Sequence, residues 1–190
     1  MTYYFSNLIN YIKFFIITII FLFSLQLKAD QNDSRLDNLF QLLLETDSDT
    51  EINEITSNIW NIWHETNDSK IDADFYQGLE AMSTGDLQKS IVFFSFVIEK
   101  NPTFAEGWNK RATAYYMMGQ LNKSMLDIQE TLKLEPRHFG AMDGMGLIFI
   151  EMQKFEKALD IYDQMLKIFP NSTATKEKKE RMLKFISKSI

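Results

Sequence analysis

The sequence predicts an all-α solenoid of stacked helix–turn–helix units, and three observations carry that prediction. All three prolines, Pro102, Pro136 and Pro170, stand 34 residues apart. A fixed period of this length marks an architecture in which each unit shares its core with its neighbours. Before each proline, apolar or small side chains recur at the 3-4-7 spacing of one helical face, as at Leu87, Ser90, Ile91, Phe94, Val97 and Ile98. Gly85 and Gly119 divide their units in two, where a helix must end in a left-handed turn.

Residues 1–29 come first. Lys13 precedes the apolar run FFIITIIFLFSLQL (14–27), and Lys28 and Ala29 follow it. This is the layout of a signal peptide cut after Ala29. The alternative is a retained membrane anchor, although a span needs roughly 20 apolar residues. Residues 30–68 carry two helical patterns, 35–45 and 50–66, the second opened by Ser48 and Glu51 as a capping box. Trp60 and Trp63 fall 34 residues before Phe94 and Val97. The segment is therefore expected to be a degenerate unit covering the first true one.

Units follow at 71–104, 105–138 and 139–172. Their small position is Gly78, Ala112 and Gly146; their large position is Phe94, Ile128 and Tyr162. Each proline excludes the helical conformation from the residue before it and so ends a second helix. Gln153 stands where Gly85 and Gly119 stand in the other units, so a tighter or less regular turn is expected there. Residues 173–190 read as a basic helix that caps the last unit.

At these positions the chain resembles the tetratricopeptide repeat family, whose unit is 34 residues long. Unit 105–138 matches best, through Trp108, Ala112, Tyr115, Gly119, Ser124 and Pro136; unit 139–172 keeps Gly146, Phe149, Ala158, Tyr162 and Pro170. Unit 71–104 departs most, with Asp74 at the tryptophan position and Ala81 at the tyrosine position. The resemblance implies a right-handed solenoid whose first helices line a concave, protein-binding groove. Carried onto this chain, the groove residues are Phe75, Leu79 and Met82; Asn109, Thr113, Tyr116 and Met117; and Asp143, Leu147 and Ile150. The lysines and asparagines with which some relatives clamp a peptide's terminal carboxylate are absent apart from Asn109. Asp72, Glu106 and Asp143 lie along one side, which favours a partner segment with some positive charge. The chain's own basic C-terminal helix is the competing occupant.

Composition narrows the function further. The formal net charge is −6, which is wrong for a general nucleic-acid binder. Removing residues 1–29 takes two lysines and no acids, leaving 18 bases against 26 acids, or −8. Cysteine is absent, which excludes disulfides, thiolate metal sites and thiol nucleophiles. The glycine-rich run FGAMDGMG at 139–146 has no strand before it and is not a phosphate loop; close helix packing explains Gly140 and Gly144. His64 and His138 lack a second ligand at helical spacing. They are expected on the capping helix and at a solvated joint, respectively. No acid, base and nucleophile converge. The expectation is an exported, periplasmic or secreted scaffold of bacterial type, with no enzymatic activity, cofactor, metal or nucleic acid, whose partner is another protein or peptide segment. It would touch a membrane only through residues 14–27. A membrane-tethered adaptor and an accessory subunit of an envelope enzyme complex are the alternatives.

Overall fold

The computed structural model describes residues 33–66 and 68–188. The leader at 1–29, its cut after Ala29 and the anchor alternative lie outside the described residues. Among those, the regular structure is nine α-helices and no strand. They are α1 (Ser34–Glu45), α2 (Asp49–His64), α3 (Ser69–Ser83), α4 (Leu87–Lys100), α5 (Ala105–Met117), α6 (Leu121–Leu134), α7 (Phe139–Glu151), α8 (Phe155–Ile168) and α9 (Thr173–Lys188).

Local chemistry starts at least four of them. Asp33, Ser48, Asp68 and Asp86 each accept a backbone N–H of the first turn, satisfying donors that the helix cannot pair internally. At α2 the expected capping box is half formed. Ser48 accepts from Glu51, but the Glu51 carboxylate takes the Thr46 hydroxyl at 2.5 Å.

The helices α3–α4, α5–α6 and α7–α8 form three pairs whose internal turns share one hydrogen-bonding pattern. Gly85 and Asp86 donate to Met82 and Ala81, Gly119 and Gln120 to Tyr116 and Tyr115, and Gln153 and Lys154 to Ile150 and Phe149. Gln153 adopts φ 56°, in the same left-handed region as Gly85 and Gly119. The less regular turn expected there is not observed. Packing of two full helices outweighs the ~1–2 kcal/mol that a non-glycine residue costs in this conformation.

Within a unit the small and large positions are matched in size. A Cβ added at Gly78 would stand 2.6 Å from Phe94 Cε1, and one at Gly146 would stand 2.9 Å from Tyr162 Cε1. Unit two has Ala112 in place of glycine and Ile128 in place of the ring, both in one core cluster. Gly78→Ala is therefore expected to cost about 1–3 kcal/mol through overpacking, less the ~1 kcal/mol that alanine gains in a helix. Adding Phe94→Ile, which recreates the unit-two pair, should recover part of the loss in a denaturant melt. No recovery would mean that the two positions are not coupled.

The N-terminal pair departs from expectation. Stacked end-on as a degenerate unit, α2 would pack against α3 and α4. Instead α1 and α2 lie along the joints between units. Their core of Leu36, Phe40, Leu43, Ile59 and Trp63 takes in Phe139, Ile168 and Phe169. Asn171 donates to the Thr46 carbonyl at 2.8 Å, and Arg137 pairs with Asp37 at 2.7 Å while lying 4.4 Å from the centre of the Phe40 ring. The C-terminal helix α9 packs on α8 at the end of the last unit, with Met182 buried and Phe185 edge-on to Phe155.

Candidate protein-binding surface

The 34-residue register arranges the first helices α3, α5 and α7 in rows of equivalent residues. From the joint side to the turn side these are Asp72, Glu106 and Gly140; Phe75, Asn109 and Asp143; Leu79, Thr113 and Leu147; and Met82, Tyr116 and Ile150. The end of α2 and the residues just after it reach the first two rows. Thr66 donates to Asp72 at 2.5 Å, His64 lies 5.7 Å from Phe75 ring to ring, and Trp60 is the neighbour that a Cβ at Gly140 would meet at 2.6 Å. Gly140 is indeed a close-packing glycine, but its neighbour is the N-terminal pair.

Glu106 anchors this contact. It was expected to line the groove, yet it is 1% exposed. His138 Nδ1 accepts the Ala141 N–H at 3.1 Å, which leaves the hydrogen on Nε2 to donate to Glu106 Oε2 at 2.8 Å. Asn109 adds a second donor to that oxygen at 2.9 Å. Lys110 at 2.9 Å and His64 Nε2 at 3.2 Å meet Oε1. Burial alone would raise the carboxyl's pKa, but the Lys110 charge and the two imidazole hydrogen bonds outweigh it. The group is held well below the usual carboxylate range. One carboxylate thus ties together α2, α5 and the joint before α7. All four partners face it, so this is a structural lock rather than a reactive centre.

His138 was placed at a solvated joint, and that expectation is corrected: it is fully buried, stacked 4.1 Å from Trp63 at 9°. A signal for this was available, because the register pairs His138 with the buried Phe104. Glu106 had no such signal, since Asp72 and Gly140 share its row.

The predicted groove residues therefore divide. Phe75 is wholly enclosed and Asn109 nearly so, and neither offers a free surface. Leu79 and Met82 are partly buried against the core of unit one. Thr113 and Met117 are exposed, and Tyr116, Asp143, Leu147 and Ile150 are half-buried. Of these six, all but Met117 border a trough. Its first part is a cavity of about 190 Å³ flanked by Asn109, Thr113, Tyr116, Asp143 and Leu147. Beyond Leu147 lies a second cavity of about 380 Å³, where Ile150, Phe155, Tyr162, Met182 and Phe185 supply apolar walls and Lys178 and Arg181 supply charge. Tyr162 and the α9 residues were not among the predicted site residues.

The acidic side that favoured a positively charged partner is also changed. Glu106 is saturated as described, Asp72 accepts from Thr66 beneath α2, and Asp143 pairs with Lys178 at 2.5 Å. The first row, Asp72, Glu106 and Gly140, is covered by the N-terminal segment, whereas the C-terminal helix reaches Asp143.

A sequence model of the tetratricopeptide repeat matches residues 141–172. A TPR repeat-containing protein of Rhizobium etli is 33% identical over 144 residues, covering 75% of this chain and 70% of that protein. Hsp70-Hsp90 organizing protein 1 of Glycine max is 25% identical over 96 residues, which cover 50% of this chain but only 17% of that protein. Among solved structures, the first TPR of Spaghetti (RPAP3) bound to the HSP90 peptide SRMEEVD aligns with TM-score 0.59 at 18% identity, covering 63% of this chain and 96% of that one. The Sgt2 TPR domain from Aspergillus fumigatus aligns with TM-score 0.59 at 22% identity, covering 64% of this chain and 82% of that one.

Proposed function

Because the chain belongs to the tetratricopeptide repeat family, we propose that it is a non-catalytic scaffold holding a segment of another protein in the turn-side trough between α5 and α9. The trough itself carries this reading. It comprises two neighbouring cavities, both lined by Leu147, that the chain's own N-terminal pair leaves open. The Spaghetti structure, with its HSP90 peptide, supports a peptide segment as the kind of ligand. In this chain half of the surface is closed by α2, so the segment is short and lies toward α9.

A photo-crosslinking residue at Tyr116, introduced in living cells, should capture a defined protein that the same residue at Val92, exposed on α4, does not. Absence of any adduct from Tyr116, Met117 and Leu147 alike would sink the scaffold reading. Residues 1–29 support export to the cell envelope as part of this proposal. N-terminal sequencing of the cellular protein tests that part. A chain starting at Asp30 means an exported, free scaffold, and one that retains residues 14–27 in the membrane fraction means a tethered one.

A further inference from the structure

We propose that the cavity between the end of α2 and the first turns of α3 is a second binding site, which takes the guanidinium group of an arginine side chain carried by a protein partner. The cavity holds about 310 Å³ and is lined by Asn61, His64, Glu65, Thr66, Asp72 and Tyr76. It shares no residue with the cavities of the trough, so this site stands independently of the trough's occupant.

The first ground is how the helices set its walls. Asn61 and Glu65 are one turn apart at the end of α2, and Asp72 and Tyr76 are one turn apart on α3. That spacing presents both members of a pair to the same side. Thr66, itself buried, ties the walls together by donating to Asp72 Oδ1 at 2.5 Å. His64 is held from behind, where its Nε2 meets the Glu106 carboxylate at 3.2 Å. A carboxylate only accepts, so the imidazole hydrogen sits on Nε2 and Nδ1 is left as an acceptor. Carboxylate, imidazole and amide acceptors therefore surround one space.

The second ground is charge. A hydroxyl donor does not neutralise a carboxylate, so Asp72 keeps its charge, whereas Glu106 and Asp143 each meet a lysine. Arg35 is shared between Asp33 and Glu65. The four carboxylates Asp33, Glu65, Asp72 and Glu106 thus face two cations, Arg35 and Lys110, a net −2 with both imidazoles neutral. Asp68 and Lys70, at the start of α3, cancel each other. Among the described residues, no lysine or arginine lines the cavity itself. The third ground is the ring of Tyr76, which is 59% exposed and edge-on to Phe75. An aromatic face attracts a cation. Guanidinium suits this site better than ammonium, because it is planar, offers five donors in a fixed fork and stacks on rings, while ammonium holds its water more tightly.

The test titrates the full, nitrogen-15-labelled chain with N-acetyl-arginine methylamide and follows the amide signals by NMR. Saturable shifts centred on Tyr76 are expected, with binding at least roughly threefold tighter than that of the lysine analogue and none by the uncharged citrulline analogue. Asp72→Asn keeps an acceptor for Thr66 and removes the charge, so it should weaken binding about tenfold. Tyr76→Ser removes only an exposed ring and should weaken it about threefold. Circular dichroism checks that both variants are folded. Free arginine, whose own carboxylate is repelled by the site, should bind less tightly than the amide. If free arginine binds more tightly, the ligand is a small molecule and the protein partner is overturned. The guanidinium assignment is overturned if the lysine or citrulline analogue binds as well as the arginine one, or if neither variant weakens binding. Shifts centred on the α7–α8–α9 cavity, or no saturable shift near Tyr76, overturn the site itself.

Discussion

Glu106→Ala is expected to destabilise the protein by about 3–5 kcal/mol, because it leaves several buried donors facing an empty carboxylate site. His138 Nε2, Asn109 and Lys110 all lose their acceptor at once. For a domain of this size the melting temperature should fall by roughly 10 °C. The pH dependence gives a second readout. The carboxyl's pKa is lower in the folded chain than its ordinary value of 4.5. The unfolded chain therefore binds a proton first as pH falls, and the stabilisation is complete above about pH 4.5 and lost progressively below it. The stability difference between the parent and Glu106→Ala should accordingly shrink from pH 7 to pH 3. A difference that stays constant across that range would show that the charge of Glu106 contributes nothing and that only its volume matters.

Trp63→Ala is expected to cost about 3–5 kcal/mol by opening a cavity at the centre of the N-terminal cluster, and because both residues contact His138 its effect should not simply add to that of Glu106→Ala. The indole is 2% exposed, stacks on His138 and touches Phe40, Trp60 and Phe139. Its loss should release α1 and α2 before the repeats unfold. Limited proteolysis should then cut within residues 34–64 while leaving 105–172 intact. Trp63→Phe is the discriminating control. The indole N–H is buried without a hydrogen-bond partner among the described residues, so phenylalanine keeps most of the packing and removes an unpaired donor. It should cost less than about 1.5 kcal/mol. If the alanine variant loses protection evenly along the chain, the N-terminal pair is an integral part of one cooperative unit rather than a separable cover.

Together these variants separate two roles of the joint-side surface. The Glu106 lock and the Trp63 stack both fasten the N-terminal pair over positions that line a groove in other family members. Filling them closes those positions and leaves the turn-side cavities open. Arg181 and Lys178, which line the cavity at the α9 end, stand on a helix that belongs to none of the three units. Glu106 and Asp143 are acidic in sequence, but their charge is spent inside the molecule.

What the sequence determined by itself is the repeat. The proline period, the small-to-large matching of Gly78 with Phe94 and Gly146 with Tyr162, and the capping residues are short-range or strictly periodic. Local backbone preference and neighbour-to-neighbour packing suffice to impose them. The register also carried a faint mark of buried His138, through its equivalence to Phe104. Only the tertiary structure decided where the N-terminal pair lies, that Glu106 is enclosed, and which part of the concave surface stays open. Those features join residues with no periodic relation, such as His64 to Glu106 and Asp37 to Arg137, 42 and 100 positions apart. An amphipathic helix pair states in its sequence that it must bury one face, but not which of several apolar surfaces will cover it. The choice is made by shape and by the pairing of buried charge, and both exist only once the repeats have stacked.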